Sequence, residues 1–213
     1  MYVKEIWRYP VKSMRGERIP SSEVFKTGLS GDRQIVVASA SGERLLTART
    51  HPGLLGLQGS IDLNGGITID NLPWHSKDAR LRVSEAAREE VQLLNLQNDT
   101  ARFDVLPLLV ATDGAIEDLG IDRRRLRPNI IVGGVIGQAE RSWPGRQLKV
   151  GNLKIGVAQL RMRCVMTTYD PDTLVQDRGV LKHIVQRARG KTALDCSVRS
   201  PGAIRVEDPV ELW

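Results

Sequence analysis

Leu148-Lys149-Val150-Gly151-Asn152-Leu153-Lys154-Ile155-Gly156-Val157 reads as two short strands folded about a Gly-Asn turn, because glycine supplies the positive φ that a tight connection requires. The same device recurs where Gly59 to Leu63 and Ile67 to Asp70 flank Asn64-Gly65-Gly66. Gln34 to Ser39 and Arg44 to Thr47 flank Ser41-Gly42-Glu43 in the same way. Tyr2 to Tyr9 alternates in part and stops at Pro10, Ile130 to Val132 and Leu194 to Val198 read as single strands, and Arg205 to Leu212 as one broken by Pro209. Two segments carry helical spacing: Asp113 to Leu119, ending at Gly120, and Leu181 to Ala188, ending at Gly190. Many strands and few helices predict a mainly β fold with peripheral helices (α+β), barrel-like in form. A polar stretch from Asn98 to Phe103 marks the one soft boundary, dividing residues 1–98 from 99–213.

Composition narrows the function. The 213 residues are 41% hydrophobic and 26% charged, ordinary for a globular protein, and the 4% aromatic content leaves the core to Val, Ile and Leu. No apolar run is long enough to cross a bilayer, and Met1 to Pro10 carries charge where a signal peptide is apolar, so the expected location is cytoplasmic, with no membrane partner. The net charge of +6 suits an anionic ligand. Nucleic acid is not expected, since neither aromatic platforms nor a helix-turn-helix accompany the basic clusters. Two cysteines are too few for an iron–sulfur cluster or a Cys-rich zinc site.

Four segments carry chemistry. Tyr9-Pro10-Val11-Lys12-Ser13-Met14-Arg15-Gly16 places a lysine and a hydroxyl, donors suited to phosphate oxygens, in a loop after a strand; a basic surface turn explains it equally. Gly28-Leu29-Ser30-Gly31-Asp32-Arg33 reads either as an Asp orienting an Arg fork toward a ligand or as a surface pair, and Thr47-Ala48-Arg49 adds another basic donor. In Arg127-Pro128-Asn129 the proline predicts extended geometry at Arg127, with a guanidinium and an amide suited to the edge of a planar heterocycle. In Arg161-Met162-Arg163-Cys164-Val165-Met166 two arginines favour a thiolate, the soft ligand that redox metals prefer. Cys196, in an apparent strand, reads as a small buried hydrophobe.

These segments, in this order, resemble the MOSC family, named for the C-terminal domain of molybdenum cofactor sulfurase, and within it the members related to amidoxime-reducing components and bacterial N-hydroxy-compound reductases. The resemblance implies an N-terminal MOSC β-barrel part followed by a MOSC domain, and molybdenum cofactor (a molybdenum-pterin) as the bound group. It implies that Lys12, Ser13 and Arg33 hold the phosphate and pterin, that Arg127 and Asn129 contact the tricyclic body, and that Asp104 is a further contact. Cys164 would be the catalytic residue and the protein ligand to molybdenum, with Met162 and Arg163 lining the site. The implied reaction is reduction of a small N-hydroxylated compound by oxygen-atom transfer. Electrons would come from an external flavin, iron–sulfur or haem protein, because this chain lacks the cysteines for a ferredoxin extension. The alternative is a sulfur carrier or cofactor-handling protein with a persulfide on Cys164; the family also carries an association with pyridoxal phosphate. Two positions depart from the pattern. Met162 stands where relatives often have a small residue, and Asp195 where the amidoxime reducers often have an aromatic one.

Overall fold

The computed structural model describes residues 1–97 and 99–213; the expected boundary at Asn98 lies outside the described residues. Eight strands form the main sheet, in the order Glu211–Leu212, Gln147–Val150, Leu153–Met162, Lys191–Ser200, Leu108–Thr112, Ile130–Gly133, Tyr2–Arg8 and Glu17–Ile19. Every pairing is antiparallel except Leu108–Thr112 with Ile130–Gly133. Parallel neighbours need a crossover, and helix α2 (Asp113–Leu119) lies in this one. Its bounds are those the spacing predicts, with Gly120 in the left-handed conformation at the C-cap.

The sheets are open, so the barrel-like part of the expected fold is made of separate open sheets among the described residues. Prolines account for the breaks. Pro20 separates the edge strand Glu17–Ile19 from Ser21–Phe25, which belongs to a three-stranded sheet with Gly28–Leu29 and Gly202–Arg205. Pro209 splits the expected strand from Arg205 to Leu212, leaving Gly202–Arg205 in one sheet and Glu211–Leu212 in another. A residue with no N–H cannot continue a ladder.

Two large apolar cores result, beside two smaller clusters. The main sheet buries Ile6, Leu108, Ile130, Leu148, Leu153, Leu194 and Cys196. An N-terminal core gathers Val11, Met14, Ile35, Leu46, Leu54, Ile69 and Val83 beneath two three-stranded sheets. Against this second core packs α1 (Lys77–Ala87), which periodicity missed because its buried face is only Ala79, Val83 and Ala87. Helix α3 (Arg178–Ala188) begins three residues before the expected Leu181, capped by Asp177. Among the described residues no helix is long and apolar enough to cross a membrane.

Candidate functional site

One cleft lies among these elements, with about 910 Å³ of space that includes open solvent. Lys12, Ser13, Arg33, Asp104, Arg127, Asn129, Met162, Arg163 and Cys164 all line it. Segments far apart in the chain therefore converge on one place.

Cys164 sits where the Leu153–Met162 strand ends. Its backbone is extended (φ −132°), and its carbonyl accepts from the Thr167 N–H (3.0 Å) and Thr167 hydroxyl (2.8 Å), starting the short turn Val165–Thr168. The sulfur is free and partly exposed, unlike that of Cys196, which is fully buried in the main core. Burial pushes the Cys196 thiol up, and the neighbouring Asp195 adds to the rise, so Cys196 is a poor thiolate at neutral pH.

Arginines surround Cys164. Burial lowers the Arg163 pKa to about 10, with the Cys164 sulfur acting in the opposite direction; it stays protonated at neutral pH and donates to the Leu126 carbonyl at 2.8 Å. Burial also works against the charge on Arg49, but Asp104 and then Cys164 more than offset this and raise its pKa. Met162 is 60% exposed at the rim.

Arg33 in the lining is held by Asp32, which is fully buried. This carboxylate also accepts from the Tyr9 N–H at 2.8 Å. Arg33 also donates to Asn129 Oδ1 at 3.2 Å. That same oxygen accepts from the Leu109 N–H at 3.1 Å, and Asn129 Nδ2 donates to the Trp7 carbonyl at 3.4 Å. Asn129 is thus a stitch between strands, with one amide hydrogen left for a ligand. The Ser13 hydroxyl accepts from the Ala48 N–H at 3.0 Å, and its own hydrogen remains available. Lys12 Nζ lies 3.0 Å from Asp104 Oδ1, and Arg49 donates to Asp104 Oδ2 at 2.8 Å.

Arg127 corrects one expectation. Its φ is +56°, left-handed rather than extended. It follows the tight turn Arg123–Arg125, donating its N–H to the Arg124 carbonyl at 3.2 Å, and that curl lays its guanidinium 4.4 Å above the Tyr9 ring. Burial lowers its pKa to about 10 and raises that of Tyr9 to about 12.

Comparison with known proteins places this geometry. The model of the MOSC N-terminal beta barrel domain matches residues 1–105, and that of the MOSC domain matches residues 109–211. The chain belongs to the MOSC family. Relatives of this MOSC protein include mitochondrial amidoxime-reducing component 1 of Mus musculus, 24% identical across 99% of this chain and 82% of the relative. Mitochondrial amidoxime reducing component 2 of Macaca fascicularis is 29% identical across 98% of this chain and 82% of its own length. The YuaD protein from Bacillus subtilis shares the fold, with a TM-score of 0.55 at 12% identity over 99% of this chain and 94% of that one.

Two basic cleft residues, Arg102 and Arg125, are assigned no site role from the sequence. Arg102, 3% exposed, donates to the Thr27 carbonyl (2.9 Å) and the Asp32 carbonyl (3.4 Å). Arg125 clasps Asp170 at 2.9 Å. Both depend on long-range contacts that no local pattern encodes.

Proposed function

We propose that this MOSC protein binds molybdenum cofactor in the cleft and reduces small N-hydroxylated compounds with electrons from a separate protein. The observation that carries the reading is a free, partly exposed cysteine in a cleft whose charged side chains are all cationic but one.

The residues present fit such a group. Eight basic side chains line the cleft (Lys12, Arg33, Arg49, Arg102, Arg125, Arg127, Arg161 and Arg163) against one acid, Asp104, an excess that suits a phosphate-bearing ligand. The Nε atoms of Arg102 and Arg163 are buried with no hydrogen-bond partner, a costly state that an anion beside them relieves. Among the described residues no three His, Cys, Asp or Glu converge into a metal cage; a single thiolate suits a metal that arrives with most of its own ligands. Lys12 and Asp104 are engaged with each other, which does not suit the free amine that pyridoxal phosphate needs.

When bound, the cofactor supplies two-electron oxygen-atom chemistry, by which the N–O bond breaks and two electrons and two protons convert the N-hydroxyl oxygen to water. The chain's own residues do the holding. Lys12, Ser13 and Arg33 present an ammonium, a hydroxyl and a guanidinium, with Asp32 and Asn129 fixing the guanidinium. Arg127, stacked on Tyr9, offers a flat cationic face. Arg163 and Arg49 place positive charge beside the Cys164 sulfur that would hold the metal.

The test is reduction of benzamidoxime by cofactor-loaded protein with a strong artificial reductant, product amidine being separated by chromatography. Wild type turns over and Cys164→Ala does not. Loaded wild type that stays silent with several N-hydroxylated substrates and donors contradicts the reading. Cyanide-labile sulfur on Cys164 in that preparation favours the sulfur carrier instead.

A further inference from the structure

Asp195 is a carboxylate buried to 0% exposure inside the main sheet, facing the strand that leads to Cys164. Gln159 Nε2 donates to its Oδ2 at 3.1 Å. Arg161 Nε lies 2.6 Å from its Oδ1, off the axis of an ideal hydrogen bond. Gln159 and Arg161, two residues apart on one strand, share a face and bracket the carboxylate between them. A buried ion pair of this kind adds little net stability, because desolvating both charges cancels most of the attraction. What it does is fix the guanidinium.

The fixed guanidinium keeps its far end free. Nε lies in ion-pair contact with Asp195 without an aligned hydrogen bond, no protein acceptor bonds either terminal nitrogen of Arg161 among the described residues, and the side chain lines the cleft three residues before Cys164. Its neighbours Arg49 and Arg125 are committed to Asp104 and Asp170, and Arg163 gives one terminal nitrogen to the Leu126 carbonyl. The nearby acid, Asp104, is already shared by Lys12 and Arg49. Arg161, ion-paired with Asp195 on its Nε side, therefore keeps two terminal nitrogens without a protein acceptor among the described residues, a geometry matched by the two oxygens of a carboxylate.

We propose that Arg161, positioned by the buried Asp195, recognises an anionic group on the substrate, so that this protein prefers N-hydroxylated compounds carrying a carboxylate over neutral ones. The inference deepens the reductase reading and rests on it for the N-hydroxyl half of the ligand. Arg161 is the specificity-determining residue and Asp195 its positioning residue.

Calorimetry on cofactor-loaded protein without reductant measures affinity alone, since nothing turns over. The probes are benzamidoxime and its ortho, meta and para carboxylated derivatives. At least one carboxylated isomer binds wild type about tenfold to a hundredfold more tightly than benzamidoxime, the scale of a charge-assisted contact. Arg161→Gln abolishes that preference, Arg161→Lys restores part of it, and Asp195→Asn, nearly isosteric, weakens it while benzamidoxime affinity holds. Thermal melting and pterin content are read on each preparation. No preference in wild type overturns the proposal without any variant being needed. An undiminished preference in Arg161→Gln also overturns it, and so does loss of pterin in folded Arg161→Gln, which would make Arg161 a cofactor contact. Turnover is scored separately. Reduction of every isomer with no binding preference defeats this inference and leaves the reductase reading standing; preferential binding with no reduction of any isomer does the reverse.

Discussion

Substituting Asp32 tests whether the part of the cleft around Arg33 is rigidly built. The carboxylate is fully buried, accepts from the Tyr9 N–H at 2.8 Å and pairs with Arg33, whose side chain is 16% exposed. Asp32→Ala leaves a buried backbone donor unsatisfied, about 1–3 kcal/mol, and strips a guanidinium of its counter-charge; removing one partner of a buried pair costs about 3–5 kcal/mol. The two costs overlap, because Arg33 can swing toward water, so the expected loss is about 3–5 kcal/mol rather than the sum. In a chain of this size that lowers Tm by about 6–20 °C. Asp32→Asn keeps an acceptor for Tyr9 and loses only the charge, so its loss is smaller, about 1.5–3 kcal/mol. Urea unfolding of the three proteins, followed by circular dichroism, gives the values. An Asp32→Ala variant within about 1 kcal/mol of wild type would contradict a buried, structural role for the carboxylate, since that is what an exposed pair yields.

Burial alone would raise the Asp104 pKa, but Lys12 and, less strongly, Arg49 and Arg161 hold it below the ordinary carboxylate value. A depressed folded-state pKa stabilises above the unfolded value, about 4, and that contribution fades as pH falls through the folded one. Asp104→Asn should therefore melt below wild type at neutral pH, with the gap closing at acid pH; a gap constant down to acid pH contradicts the ion pairs. Gly114→Ala should destabilise sharply, because an added Cβ meets the Val135 carbonyl at 2.2 Å; an unchanged melting curve contradicts that packing. Replacing Lys12 or Arg33 by Ala should weaken cofactor retention by about 1.5–3 kcal/mol for each charged bond lost, read as pterin remaining after dialysis; full retention in both returns them to a surface role. No NADH-driven turnover should appear without added partner proteins, since no glycine-rich dinucleotide loop is present; turnover with NADH alone removes the need for a partner.

What the sequence disclosed followed local rules. Helix α2 and its glycine cap were legible to the residue, as was the Gly151 turn, φ +54°, because capping and turn chemistry are short-range. Helix α1 was not, since its buried stripe is alanine and valine on an otherwise polar surface, with Ser76 as N-cap its main local signal. Short motifs picked residues that converge on one cleft, yet they misjudged Arg127, where the preceding turn overrides the bias from Pro128. The Asp195–Arg161 and Arg102–Thr27 contacts join distant parts of the chain. Nothing in either segment alone announces its partner.

Metal and pterin analysis of protein made in a cofactor-competent host asks whether Cys164 holds the cofactor. About one molybdenum and one pterin are expected for each wild-type chain, with metal lost from Cys164→Ser and kept by Cys196→Ser. Wild type that carries neither molybdenum nor pterin, or a Cys164→Ser variant that keeps its metal while Cys196→Ser loses it, would contradict a cofactor held on Cys164.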